Sequence, residues 1–330
     1  MDHTSFVEVS EGSLFWKVTG PIQPTYGKGC AQPMPKEGAA PKTKTRPTLL
    51  FIHAAITDHT LWKDQAHYFN TKGWSCVVYD LFGYGQSFAN EQYLASKPKP
   101  KIKHYEHTLA ITRAHFDLMG KDYFGDIRNH KYIIVGLSYG ASIALDFTLA
   151  YPHLVHGLVI CAGGIGGYEP ENSHDEDDMF ATLKECIKKG DVENAVRMLV
   201  RIWGDGTKAN QYRLSARLRS RLADWCRAII TSEVEGTGGC RLPSEEWSVP
   251  GLPGRWYAAQ YLHTVKIPIR IANGKYDETA TRQSMLYLAE QRQKTGSYKE
   301  FRTGHLINLE LPDDFNRWTD EFLQQFIKKD

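Results

Sequence analysis

Short apolar runs recur along the chain with longer amphipathic stretches between them, and this alternation limits the fold more than any other feature. Thr48–Ile52, Trp74–Tyr79, Tyr132–Val135, Leu158–Cys161, Ile267–Ala272 and Tyr298–Phe301 are apolar almost throughout. Runs of that length without alternation mark strands covered on both faces. Helical patterns fall between them at about Leu61–Asn70, His107–Met119, Tyr139–Ala150, Ala280–Gln293 and Asp313–Ile327. Right-handed crossovers then give an α/β fold around a mostly parallel, doubly wound sheet. The opening stretch, Phe6 to Val18, alternates instead and carries a turn signal at Glu11-Gly12, so it predicts an antiparallel hairpin.

Two regions interrupt this rhythm. Residues 21–47 contain Pro21, Pro24, Pro33, Pro35, Pro41 and Pro47 and almost no large apolar side chain, which predicts an exposed loop inserted in the core. The Lys97–Lys101 run reads as a solvated loop of the same kind. The second interruption, residues 164–264, is helical: about Asp177–Lys189, Val192–Trp203 and Ala209–Ser232. Gly190-Asp191 supplies a helix stop followed by a fresh N-cap. A Gly/Pro-rich connection, Gly236–Gly254, leads to a short helix near Trp256–Leu262. The expected organisation is therefore a core of residues 1–163 and 265–330 with an inserted all-helical cap, 164–264. Trp203, Trp225, Trp247 and Trp256 fall in that cap; packing between its helices accounts for most of them, and Trp203 and Trp225 are candidates to line an apolar pocket.

Composition narrows the function classes. Forty basic and 38 acidic side chains leave a formal charge of +2, no field that would draw the chain to nucleic acid or to an anionic membrane. No apolar stretch approaches the roughly 18 residues of a membrane span, and the first residues lack the basic and apolar segments of a secretory leader. Cys30, Cys76, Cys161, Cys186, Cys226 and Cys240 show neither a C-x-x-C pair nor metal-ligand spacing. The expectation is a cytoplasmic protein with reduced thiols, no metal and no cofactor, equally compatible with a monomer or a homodimer.

The sharpest chemical signal is Gly136-Leu137-Ser138-Tyr139-Gly140, set between the Tyr132–Val135 strand and an apolar helix pattern. Glycines on either side allow a sharp turn that pushes the Ser138 hydroxyl out at the C-terminal edge of the sheet. The amides and dipole of the following helix point at the same spot. A serine hydroxyl needs a base. His305, in Thr303-Gly304-His305 after the last strand, lies at the same edge, with His53, at the end of an earlier strand, as its rival. The base needs an acid to hold its tautomer. Asp277 follows Asn273-Gly274-Lys275-Tyr276 at that edge too, with Glu278 adjacent as a substitute.

Ser138, Asp277 and His305 stand in the order that α/β-hydrolases use. Further landmarks are His53-Ala54-Ala55 after a strand and Asp80-Leu81-Phe82-Gly83-Tyr84-Gly85-Gln86-Ser87, similar to that family's D-x-x-G-x-G-x-S turn. On these residues the chain resembles a capped serine hydrolase of the α/β-hydrolase superfamily over nearly its whole length, the Pro-rich loop excepted. The resemblance implies a catalytic triad of Ser138, Asp277 and His305, a structural role for His53, and an oxyanion hole made by the amides of Ala55 and Tyr139. Alanine at position 54 replaces the usual glycine, so a differently shaped loop is expected there.

What the resemblance implies chemically is acyl transfer from a small-molecule ester or lactone with an apolar body, Ile56 and Thr57 being further candidates for the pocket wall. Serine in the nucleophile position argues against the relatives that use aspartate there, the epoxide hydrolases and haloalkane dehalogenases. A C–C hydrolase acting on β-diketone-like substrates uses the same residues and stays open, as do, at lower weight, a lyase and a ligand-binding receptor on this fold. Asp175-Glu176-Asp177-Asp178 reads as dipole-complementing charge at a helix start. Arg213, Arg217, Arg219 and Arg221 read as a solvated helix face rather than an anion clamp.

Overall fold

The computed structural model describes residues 2–9, 12–21, 46–95, 111–112, 114, 130–171, 173–208, 213–235, 258–292 and 296–327. Most of the Pro-rich 21–47 loop, the Lys97–Lys101 run, most of the His107–Met119 helix, the Gly236–Gly254 connection, Trp247, Trp256, Cys30 and Cys240 lie outside these residues.

The strands are β1 His3–Val9, β2 Gly12–Thr19, β3 Thr48–Ile52, β4 Cys76–Tyr79, β5 Phe88–Ala89, β6 Tyr132–Leu137, β7 Val155–Cys161, β8 Ile269–Gly274 and β9 Gly296–Phe301. Among the described residues they make one sheet in the order β1-β2-β4-β3-β6-β7-β8-β9, with β5 pairing β2. The opening hairpin is antiparallel and joins β4 antiparallel, whereas β4, β3, β6, β7, β8 and β9 run parallel. From β3 the chain steps to β4 on one side and then crosses to β6 on the other. Loops leaving β3 and β6 therefore diverge, opening a crevice at the strands' C-terminal ends where ligands of such sheets bind.

Alternation of side chains through a doubly covered sheet explains the apolar runs. Leu50, Ile52 and Ile134 join one buried cluster with Ile143 and Leu145 of the helix Tyr139–Ala150 and Met285 and Leu288 of the helix Thr279–Gln291. Leu49, Phe51, Ile133 and Val135 join the other, against Ala66 and Phe69 of the helix Lys63–Thr71 and Phe315, Trp318 and Phe322 of the helix Pro312–Leu323. At the hairpin, the Trp16 ring stacks on Tyr79 at 4.6 Å. The Asp80 N–H donates to Phe15 O (3.1 Å), and Phe15 N–H donates to Ser87 Oγ (2.9 Å).

Between β7 and β8 lie the helices His174–Lys189, Val192–Leu199 and Ala216–Glu235. Two details depart from the sequence reading. The second helix does not continue as α-helix to Trp203 but widens into a π-helical turn, Val200–Gly206. The third is helical from Ala216; residues 209–212 lie outside the described residues, and 213–215, expected within the helix, precede it because Asp205 Oδ1 takes the amides of Arg213 (2.7 Å) and Leu214 (3.2 Å). Ser215 then caps the new helix, accepting from Leu218 N–H through its hydroxyl (3.3 Å).

Candidate active site

Ser138 occupies the turn between β6 and the helix Tyr139–Ala150 with φ 57° and ψ −121°. That backbone region is unfavourable for any residue with a Cβ. Hydrogen bonds hold it there: Ser138 N–H donates to Cys161 O (2.8 Å), while Ser138 O accepts from Ala141 N–H (2.9 Å) and Ser142 N–H (3.2 Å). The flanking glycines are needed for close approach. A β-carbon at Gly140 would lie 2.6 Å from His53 O, and one at Gly136 would lie 2.7 Å from Ala141 Cα. The helix can therefore start directly against the end of β3, with Tyr139 as its first residue.

The loop after β3 is built around His53. Its Nδ1–H donates to Ala54 O (2.8 Å), and its Nε2 accepts from Leu81 N–H (2.9 Å), so both ring nitrogens are consumed. The ring is wholly buried, and burial lowers its pKa against the pull of Asp80. His53 thus braces this loop to the turn after β4 and is removed as a rival base. Among the described residues the non-glycines with positive φ are Ser138 and Ala162. Ala54 is not among them, so its Cβ is accommodated without a left-handed backbone. Ala55 is buried, and its N–H has no partner among the described residues.

Two further loops meet at the ends of β8 and β9. Lys275 N–H donates to Phe301 O (2.7 Å) and Tyr276 N–H to Thr303 O (2.9 Å), joining the loops side by side. This brings His305 Nδ1 to 2.9 and 2.8 Å from the two Asp277 oxygens, with both residues buried. Burial works to lower the His305 pKa, but the Asp277 carboxylate, as charge and as acceptor, outweighs it with help from Glu278, and the net shift is upward. Glu278, pushed up to about 7 by burial and by Asp277, turns to Thr281 Oγ1 (2.5 Å) and leaves the imidazole to its neighbour. With Nδ1 engaged, Nε2 is the His305 ring nitrogen left without a hydrogen bond among the described residues. Ser138 Oγ itself makes no hydrogen bond among the described residues.

The remaining sequence candidates divide. Trp203, on the π-helical turn, packs 6.1 Å from the His305 ring, with Phe180 at 6.1 Å on another side. Thr57 and Trp225 line one cleft of about 600 Å³ together with His59, Gln86, Arg221 and Ile229. Ile56 is buried in the apolar cluster that holds Leu61 and Trp62 and does not line that cleft.

Sequence reasoning missed a set of charges that ties the inserted helices to this edge. Among the described residues Arg217 alone of the four arginines is exposed without such a tie. Arg219 pairs with the fully buried Asp205 (2.6 Å), Arg221 donates to Thr60 O (2.7 Å), and Arg213 reaches Glu310 (2.7 Å). Their i, i+4, i+6, i+8 spacing carried no signal of these partners, which lie 14, 97 and 161 positions away. Glu176, from the acidic run, completes a capping box with Ser173 and also accepts from Thr207 Oγ1 (2.6 Å) and Thr279 N–H (2.9 Å). Asp58, His59 and Asp80 offer ligand atoms within 4.8 Å of one another. The Asp80 oxygens, however, already take His59 N–H (2.7 Å), Gln86 N–H (2.8 Å) and the His59 ring (2.9 Å), so the group braces two loops instead of presenting free ligands.

A model of the Alpha/beta hydrolase family matches residues 49–318. The chain belongs to that family. Proline iminopeptidase of Thermoplasma volcanium is 23% identical over 270 residues, covering 78% of this chain and 81% of its own length. Among solved structures, naproxen esterase from Bacillus subtilis superposes with a TM-score of 0.63 at 16% identity, covering 98% of this chain and 91% of that one. Est816, described as an N-acyl homoserine lactone degrading enzyme, does so with 0.62 at 17% identity, covering 96% and 100%. Identities that low establish the shared fold alone. The alpha/beta hydrolase match takes in Ser138, Asp277 and His305 together with the inserted helices, and the protein is a hydrolase. Among the described residues no helix is long and apolar enough to cross a membrane.

Proposed function

We propose that this alpha/beta hydrolase is a serine carboxylic ester hydrolase or lactonase for small, largely apolar substrates. The observation that carries the reading is the buried His305–Asp277 pair at the sheet edge where Ser138 is held on a strained turn. In this mechanism His305 Nε2 takes the hydroxyl proton as Ser138 Oγ attacks the carbonyl carbon. The tetrahedral oxyanion is met by the amides of Ala55 and Tyr139, each such donor contributing roughly 3–4 kcal/mol to the transition state. The imidazolium, stabilised by Asp277, protonates the departing alkoxide. Water, deprotonated by the same Nε2, then cleaves the acyl-enzyme and releases the acid. The Ser138–His305 hydrogen bond forms as substrate is seated, as is common where unliganded catalytic bonds are long or open.

Residues 164–264 act in this reading as a cap over the site. Trp203 beside His305 supports an apolar substrate body; Trp225 and Ile229 add apolar surface to the 600 Å³ cleft, whose other walls include the polar side chains of Asp58, His59, Gln86, Arg221 and Asp224. Thiols at Cys76, Cys161, Cys186 and Cys226 are free, which suits a cytoplasmic setting. Fluorophosphonate labelling followed by peptide mass spectrometry tests the proposal. Ser138 should carry the adduct, and Ser138→Ala should fold yet neither label nor hydrolyse p-nitrophenyl butyrate. Labelling elsewhere, or full turnover by that variant, would overturn it.

A further inference from the structure

We propose that Arg213 is a positioning residue that holds the loops carrying His305 and Asp277 in register, so that the inserted helices govern the competence of the acid–base pair. The inference rests on the serine-hydrolase reading above. Its basis is one guanidinium with contacts to both loops. Nη2 donates to Glu310 Oε2 (2.7 Å) and to Arg302 O (3.1 Å), three residues before His305. The other Glu310 oxygen, Oε1, accepts from Gly304 N–H (2.6 Å), the residue immediately before the imidazole. On its flat face the same guanidinium lies 4.3 Å from the centroid of the Tyr276 ring, next to Asp277.

The arginine is itself held firmly. Nη1 donates to Asp205 O (3.0 Å) and the Arg213 N–H to Asp205 Oδ1 (2.7 Å), while Arg219 pairs with that same oxygen (2.6 Å). Asp205 is fully buried on the π-helical turn. That turn rests on the loops directly: a β-carbon at Gly304 would lie 2.7 Å from Gly204 O, and one at Gly206 would lie 2.8 Å from the Tyr276 carbonyl carbon. With the Arg213 and Glu310 side chains only 20% and 9% exposed, solvent does little to weaken the pair. A planar donor that hydrogen-bonds at its edge and stacks on its face fixes two backbones at once, which an ammonium cannot do. Arg213 is not expected to touch substrate, since among the described residues its side-chain contacts go to the loops and to Asp205.

The test is the saturable inactivation of the full-length protein by a fluorophosphonate, giving kinact and KI separately. Arg213→Ala should lower kinact by about tenfold to a hundredfold, the penalty expected when reacting groups shift by about 1 Å, and leave KI within about twofold. Arg213→Lys should recover part of the loss. Glu310→Gln keeps an acceptor for Gly304 N–H and should fall between them, and the double variant Arg213→Ala/Glu310→Gln should be no slower than Arg213→Ala alone. A folded Arg213 variant with wild-type kinact overturns the inference, as does a raised KI at unchanged kinact, which would make Arg213 a binding residue. If Arg213→Ala fails to fold, Arg213→Lys and Glu310→Gln decide by the same two constants. Failure of the wild-type protein to label at Ser138 overturns the proposed function first, whereas normal labelling in the variants overturns this inference alone.

Discussion

Replacing Ser138 by glycine should make the protein more stable than replacing it by alanine, reversing the usual order of those residues. At φ 57° and ψ −121° a residue with a Cβ carries strain of about 1–3 kcal/mol, and alanine keeps nearly all of it. Glycine releases the strain but gives back about 0.5–1 kcal/mol through the larger freedom of its unfolded chain. The net advantage of glycine is then about 1 kcal/mol, or about 2 °C in melting temperature for a chain of this size. Both variants lack the proposed nucleophile, so on that reading neither measurement is disturbed by turnover. Urea unfolding of the two side by side, with equal m-values, measures the difference as a shift in midpoint. Were the alanine variant equally stable or more so, the turn would not be strained, and the account of how Ser138 is presented would fail.

Other consequences concern titration and the junction with the inserted helices. In the proposed mechanism the His305 imidazole must be neutral to accept a proton, and its pKa is raised above the ordinary 6.5, so kcat/KM should fall on the acid side with a midpoint above 6.5. Asp277→Asn should move that midpoint down and slow turnover on the order of 10,000-fold, which a pH–rate profile of each protein would reveal. The same upward shift means the His305–Asp277 pair stabilises the fold fully below the free imidazole value and progressively less as pH rises through the folded one; unfolding midpoints across that window should show it. For Glu176, burial works to raise the pKa, but hydrogen bonds from Thr207, Ser173 and Thr279 hold it at about 2. Its contribution is therefore present above the ordinary 4.5 and lost as pH falls towards about 2, and melting temperatures of wild type and Glu176→Ala should converge over that range. Near neutrality Glu176→Ala should cost about 2–3 kcal/mol by stranding the Thr207 and Thr279 donors, as chemical denaturation would measure.

The parts of this molecule that could be read from sequence are those whose cause is local. The β3 and β6 runs are apolar because both faces are covered, and each ends in residues that a turn requires. The elbow at Gly136–Gly140 and the loops of Asp277 and His305 follow strands, so their place at one edge is a matter of chain direction. The π-helical turn was not legible, because Val200–Gly206 is shaped by glycines pressed against Tyr276 and Gly304, far along the chain. Arg213, Arg219 and Arg221 looked like a solvated face because their partners, Glu310, Asp205 and Thr60, lie on other elements or an earlier turn. Glu176 carried half of its meaning locally, as a capping-box residue, and half through Thr279, 103 positions away. The two-residue strand β5 was too short to show any period.

The hairpin at one flank of the sheet has a role beyond adding two strands. β2 covers the hydrogen-bonding edge of β4 from Trp16 to Thr19, and Ser87 links Phe15 to the turn whose Leu81 amide holds His53. Stripped of its first nineteen residues, the molecule would present Cys76–Tyr79 as a bare apolar edge, a template for self-association. It would also slacken the brace beneath the Ala55 amide, so precipitation and lost hydrolysis would share one origin.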